Sequence, residues 1–182
     1  AKTPTSDEET VKQLRPWVKK KKAWAQCSMG EMYRDGIGVK RSYEMARMLF
    51  EQAAQQGYAI AMCHLGDMYN DGLGVEQSIE KAFEYCEQAA DLGNVSAHYN
   101  LGVRYENGLG VEQSYEKAFE YYEQAAQLGY AKAQYNLGVF YYNGEGVEKD
   151  IAKTREWWTK AAAQGNEDAI KGFAILKQRM NK

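Results

Sequence analysis

The chain is poor in proline and cysteine, and it has no long apolar run. Its two prolines are Pro4 and Pro16. Its 17 glycines mostly fall at recurring positions, so they indicate the ends of helices and the turns between them and not disorder. No apolar run reaches the ~18–20 residues of a membrane span, so we expect no membrane partner. Three cysteines (Cys27, Cys63 and Cys86) are an odd number at spacings that do not pair. They favour a reducing compartment, and we expect a cytoplasmic location.

The net charge of −2 conceals an uneven distribution. Residues 1–22 carry seven basic and three acidic side chains, whereas residues 23–166 carry 12 basic and 20 acidic ones, a balance of −8. An acidic body repels phosphate backbones, so we expect no nucleic-acid partner. The run Lys19–Lys22 resembles a short nuclear-import signal, which leaves a nuclear location open, although a solvated flank is the simpler interpretation.

The sequence matches itself without gaps when it is shifted by 36 residues. The aligned positions include four glycines, four tyrosines, four Gly-x-Gly-Val units and four Ala-Ala pairs; they begin at Gly30, Tyr33, Gly36 and Ala53 in the first copy. A period in this range is typical of a solenoid. The predicted repeats are 23–58, 59–94, 95–130 and 131–166. We assign 1–22 to an N-terminal capping helix with a partial repeat and 167–182 to a C-terminal capping helix.

Each repeat predicts two helices. In the second copy Ala61, Leu65 and Tyr69 share one face of a helix over about 59–70, which Gly72 ends. Ser78 precedes a second helix over about 79–92 as a good N-cap. Gly66 lies inside the first helix, at a cost of about 1 kcal/mol relative to alanine, and its recurrence predicts that another backbone passes close to it.

The repeat unit resembles the Sel1-like repeat, a relative of the tetratricopeptide repeat with a longer loop between its helices. The unit reads Ala-x-Ala-x-x-x-Leu-Gly-x-x-Tyr-x-x-Gly-x-Gly-Val, followed by Ser or Asp and a second helix with Ala-Ala and a closing Gly. The resemblance implies an all-α, right-handed solenoid whose first helices line a concave face. It also implies a non-enzymatic adaptor that binds a protein or peptide.

An enzyme is the alternative, because a cysteine-rich minority of the family has been connected with penicillin binding and β-lactam hydrolysis. Ser78–Lys81 and Ser114–Lys117 match the Ser-x-x-Lys signature of penicillin-recognising enzymes. The same position holds Ser42 and Asp150 in the other repeats, so helix capping is the shared property. Neither Ser-Asp-Asn nor Lys-Thr-Gly occurs, and the regular cysteine pair is missing. We therefore predict no catalytic residue.

No cofactor or metal is predicted either. Cys63 and His64 with Cys27 and His98 provide too few ligands for tetrahedral zinc, since successive first helices lie ~8–10 Å apart. The recurring acidic residues of the second helices, such as Glu84 and Glu120, face away from the alanines. They are interpreted as a solvated outer surface, with recruitment of a basic partner as the alternative.

The exposed side of the first helices is the predicted binding surface. Tyrosine and asparagine side chains recur there in register and would give a bound peptide rings to pack against and amides to hydrogen-bond. The predicted protein-binding residues are His64, Asp67, Tyr99, Asn100, Val103, Tyr135, Asn136, Val139 and Tyr142.

Overall fold

A computed structural model of the chain describes residues 6–180, without the side chains of 175 and 177–180, and these residues form ten α-helices. The predicted end segments therefore extend outside the described residues at 1–5 and 181–182. The helices are α1 (Ser6–Lys19), α2 (Ala23–Asp35), α3 (Tyr43–Ala54), α4 (Ala59–Asp71), α5 (Ile79–Asp91), α6 (Val95–Asn107), α7 (Tyr115–Gln127), α8 (Ala131–Asn143), α9 (Ile151–Ala163) and α10 (Glu167–Met180). Residues 6–180 contain no strand, which confirms the all-α fold class.

The helix ends follow from the local sequence. Ser78 and Asp150 accept a hydrogen bond from the backbone N–H three residues later, as the N-cap prediction requires. Gly72 ends α4 at φ 67°, a left-handed conformation that side chains other than glycine resist. The predicted second-copy helices over 59–70 and 79–92 are thus confirmed to within one residue at 59–71 and 79–91.

The chain divides into two compact units, one up to residue 94 and one from residue 95 onward. The first unit holds α1–α5 and is built around Phe50, Leu65 and Met68, which are fully buried. The second unit holds α6–α10 and is built around Tyr122 and Phe140, whose rings pack edge to face with centroids 5.4 Å apart. Among the described residues no helix is both long and apolar enough to cross a membrane.

In three of the four repeats the glycine inside the first helix leaves room for an aromatic side chain of the second helix. A Cβ on Gly102 would lie 2.6 Å from two ring carbons of Tyr122. The corresponding neighbour is Phe50 for Gly30 and Trp158 for Gly138. The atoms nearest to these three glycines thus belong to a ring and not to the predicted close backbone. At Gly66 the nearest atom is a backbone carbonyl oxygen 3.3 Å away, as the prediction requires.

Candidate protein-binding groove

Seven of the predicted binding residues lie on two helices of the second unit, and we call this surface the α6–α8 face. Its members are Tyr99, Asn100 and Val103 on α6 and Tyr135, Asn136, Val139 and Tyr142 on α8. The spacing of three or four residues places each set along one side of its helix. Asn100 is exposed and the other six are half-buried. The Tyr99 ring also packs against Tyr130, with centroids 5.1 Å apart, which joins the start of α8 to α6.

The two asparagines of the α6–α8 face have different environments. The Asn136 amide acts on the hydroxyl groups of both Tyr99 and Tyr122, where it opposes the rise in pKa that burial causes. The Tyr122 hydroxyl in turn donates to the Glu106 carboxylate. Burial and that hydrogen bond raise the pKa of Tyr122 above its usual range, so its hydroxyl keeps its proton. Asn136 therefore supports the chain's own tyrosines, whereas Asn100 presents its amide to solvent.

Three residues of the α6–α8 face also line a cavity. The cavity has a volume of about 370 Å³. Its lining includes Tyr135, Val139 and Tyr142 together with Trp158 of α9 and residues of α10. Trp158 and α10 line this cavity but are not among the residues predicted from the sequence. Trp158 stands in the same register as Phe50 and Tyr122, and this position could have indicated a large ring that packs against the first helix.

The two predicted residues of the first unit, His64 and Asp67, lie on α4 in a charged environment. His64 is half-buried with its ring 4.8 Å from that of Phe50. Arg34 can only donate, so the His64 Nδ1 accepts from it at 3.1 Å and the Nε2–H donates to Glu31 at 2.9 Å. Asp67 is exposed. These contacts fix the orientation of His64 and leave Asp67 as the more accessible of the two side chains.

Two of the cysteines, Cys27 and Cys63, lie in surroundings that favour the protonated thiol. Burial raises the pKa of Cys27 to about 12 and that of Cys63 to about 11, and the nearby carboxylates Glu31 and Asp67 act in the same direction. The described residues contain no group of three or more potential metal ligands. A thiolate nucleophile or zinc ligand finds no support at either position.

We predict that Cys27 and Cys63 react slowly with a disulfide reagent in the folded protein. At pH 8 their thiolate fractions are at least about a hundredfold below that of an unperturbed thiol, because thiolate content falls tenfold per pKa unit. The measurement is the rate of colour release from Ellman's reagent, with the guanidinium-unfolded chain as the control. Equal rates for the folded and unfolded protein would contradict the prediction.

The Ser-x-x-Lys segments are helix caps. The Ser114 Oγ accepts from the Lys117 backbone N–H at 3.3 Å and donates to Glu116 at 3.1 Å. The Lys117 ammonium instead lies 4.9 Å from the centre of the Tyr105 ring. Ser78 and Lys81 repeat this arrangement, with the Lys81 ammonium 5.0 Å from the Tyr69 ring. The contacts explain these serines through capping and give no support to a nucleophilic role.

Ser114→Ala should cost about 1 kcal/mol of unfolding free energy, because the change removes a cap. Ser114→Asp should preserve stability, since Asp150 already caps the matching helix. Urea unfolding of the two variants measures both effects. Hydrolysis of a chromogenic β-lactam by the wild type that is lost in Ser114→Ala and Ser78→Ala would contradict the capping interpretation and favour the enzyme.

Comparisons with known proteins agree with this architecture. The Sel1 repeat family model matches residues 25–58, 59–94, 95–130 and 131–166. The crystal structure of a Sel1 repeat protein from Oxalobacter formigenes is 27% identical, with a TM-score of 0.80 over 90% of this chain and 65% of that one. The Escherichia coli protein c5321, a protective antigen of uropathogenic strains with an SLR fold, is 35% identical with a TM-score of 0.81.

The match to c5321 covers 90% of this chain and 35% of that protein, so this chain spans only part of the length of both relatives. Cysteine rich protein B of Helicobacter pylori is 30% identical with a TM-score of 0.53, over 69% of this chain and 95% of that one. Among curated protein sequences none matches the chain. The structural matches support the repeat fold.

Proposed function

Because the chain belongs to the Sel1 repeat family, we propose that it is a non-enzymatic scaffold that binds a protein partner along the α6–α8 face. Sel1 repeats commonly serve as protein-interaction modules. The observation that carries the choice of surface is the combination of half-buried tyrosine rings with the exposed amide of Asn100. Rings with one accessible side give a partner apolar contact area, and the amide gives it a hydrogen bond.

The geometry of the repeat favours an extended segment of the partner. Equivalent residues on neighbouring first helices lie roughly 10 Å apart, about three residues of extended chain. Tyr99 and Tyr135 are such a pair, as are Val103 and Val139. A strand lying across α6 and α8 would place every third side chain or so against one of these positions, whereas a compact small molecule would reach only one of them.

The outer surface provides the competing site. Glu84 and Glu120 are exposed on the second helices α5 and α7, whose alanines Ala89 and Ala125 are fully buried on the opposite side. These carboxylates have the features of a solvated surface, because exposed charges contribute little binding energy in water. Binding of a basic partner to this acidic surface is the alternative that a test of the α6–α8 face must distinguish.

Selection of peptides from a random display library on the purified chain tests the proposal. We expect enriched clones whose binding shifts the backbone amide NMR signals of Tyr99, Asn100, Val103 and Val139. Enrichment that disappears when Glu84 and Glu120 are changed to alanine, with no shifts on α6 and α8, would contradict the α6–α8 face and assign binding to the acidic outer surface.

A further inference from the structure

The cavity beside the α6–α8 face has an aromatic wall. The Trp158 ring lies 5.9 Å from the Tyr135 ring and 6.1 Å from the Tyr142 ring, at interplanar angles of 21° and 27°. Trp158 is held in place because its Nε1–H donates to the Tyr135 carbonyl oxygen at 3.0 Å. Trp158 is buried, whereas Tyr135 and Tyr142 are half-buried and keep part of their ring surfaces accessible to a flat group that packs face to face.

The electrostatics of this wall favour a cation. The face of an aromatic ring carries negative charge density and attracts ammonium and guanidinium groups within about 6 Å. The chain's own Lys149 ammonium already lies 5.3 Å from the centre of the Tyr142 ring, which leaves the Tyr135 ring for a further cation. A planar guanidinium gains more from such a wall than an ammonium does, because it also stacks.

Two charged residues of α10 line the same cavity, Asp168 and Lys171. The Lys171 ammonium lies 3.7 Å from the Glu167 carboxylate, so part of its charge is compensated. Asp168 makes no ion pair with any residue in the described part of the chain. Its charge reaches Tyr135, where burial first and Asp168 second raise the pKa of the hydroxyl. The unpaired carboxylate thus lies close to the Tyr135 end of the wall.

Gly172 allows α10 to pack closely against Trp158. It stands in the register of Asn100 and Asn136 but carries no side chain. A Cβ at this position would lie 2.7 Å from the Trp158 ring, so any other residue would press against that ring. We call the cavity beside this contact the aromatic slot, and its lining residues are Tyr135, Val139, Tyr142, Trp158, Asp168, Lys171, Gly172 and Leu176.

We propose that the aromatic slot receives an arginine side chain of the bound protein. The guanidinium would lie against the accessible part of the Tyr135 ring and donate to the Asp168 carboxylate, a pairing that its planar fork suits. The inference rests on the proposed function, because the arginine belongs to the segment that follows the α6–α8 face. An aliphatic side chain in the slot would remove water from Asp168 without pairing it, which is unfavourable.

Peptides that differ at one position test the occupant. The probes are acetyl-Gly-Ser-Xaa-Ser-Gly-amide with arginine, citrulline, lysine, leucine or glutamate at Xaa, titrated against the Trp158 indole N–H signal in NMR spectra. Citrulline keeps the shape of arginine without its charge. We expect the arginine peptide to bind best and the citrulline peptide about tenfold more weakly, because a charged hydrogen bond is lost.

Three variants of the chain show whether the aromatic slot prefers a positively or a negatively charged side chain. Asp168→Asn should weaken binding of the arginine peptide about two- to fivefold, because Asp168 is exposed and an exposed ion pair contributes little. Lys171→Gln should strengthen binding, since it removes repulsion. Glu156→Gln is the matched control, because that carboxylate is exposed on α9 and paired with Lys160. It should leave binding unchanged.

Other outcomes overturn the inference. Preferred binding of the glutamate peptide, with the opposite response to the Asp168 and Lys171 changes, would assign the slot to a carboxylate. Equal binding of leucine and arginine would make it an apolar pocket. Absence of binding by every probe would remove the slot as a site while leaving the α6–α8 face intact, since the latter is tested separately through Asn100.

Discussion

Gly102→Ala should destabilise the protein by about 1–2 kcal/mol, although alanine is the better helix former. The helix preference alone would stabilise the variant by about 1 kcal/mol. The added methyl group, however, would lie 2.6 Å from two carbons of the Tyr122 ring. That ring is fully buried and its hydroxyl is held by Glu106, so it has little room to move. Overpacking of this kind costs about 1–3 kcal/mol and occasionally more. Urea unfolding followed by circular dichroism measures the change.

The same substitution at Gly66 is the matched control. A Cβ there meets one carbonyl oxygen at 3.3 Å and no ring, because Cys86 stands where Tyr122 stands in the next repeat. Gly66→Ala should change the unfolding free energy by less than about 1 kcal/mol. Gly102→Ala should also lose most of its penalty in a Tyr122→Cys background. Equal tolerance of alanine at both glycines would show that the ring is not the reason for glycine.

The pair Asn100→Ala and Asn136→Ala should weaken binding of a partner segment at least tenfold. Loss of one amide costs about 1–3 kcal/mol when its partner group stays buried, and each 1.4 kcal/mol is a factor of ten. The two single changes should differ, however. Asn100→Ala should lower affinity at unchanged stability, because the side chain is exposed. Asn136→Ala should also lower stability, since Tyr99 and Tyr122 lose their shared partner. Calorimetric titration and urea unfolding separate these effects.

Glu84→Ala with Glu120→Ala is the control for that pair, because both carboxylates are exposed on second helices. The control should bind the same segment with nearly wild-type affinity. The prediction is contradicted if the two glutamate changes abolish binding while the two asparagine changes leave it intact. Binding would then be assigned to the acidic outer surface.

The sequence predicts the helices well because their ends depend on local chemistry. A serine or aspartate cap and a left-handed glycine act within a few residues, so Ser78 and Gly72 mark their helices without knowledge of the fold. The sequence also predicts where the residues of the α6–α8 face lie, since period and helical spacing place Tyr99 and Tyr135 on matching sides of two helices.

The remaining features depend on contacts that register does not show. Asn100 and Asn136 occupy equivalent positions, yet only the second meets the Tyr122 hydroxyl. At the aromatic slot, Gly172 of α10 lies in close contact with Trp158 of α9, and the repeat pattern does not predict this contact. If register alone decided the packing, equivalent positions would contact the same side chain in every repeat. The side chain at the opposing position changes from Cys86 to Tyr122 to Trp158, and so does the packing around it.

Photo-crosslinking in an extract of the source cell identifies the surface that binds the partner. A benzoylphenylalanine is placed either at Val103, on the α6–α8 face, or at Glu120, on the outer side of α7. Illumination should join a partner protein to the chain from position 103 and not from position 120. Crosslinking from position 120 alone would contradict this prediction.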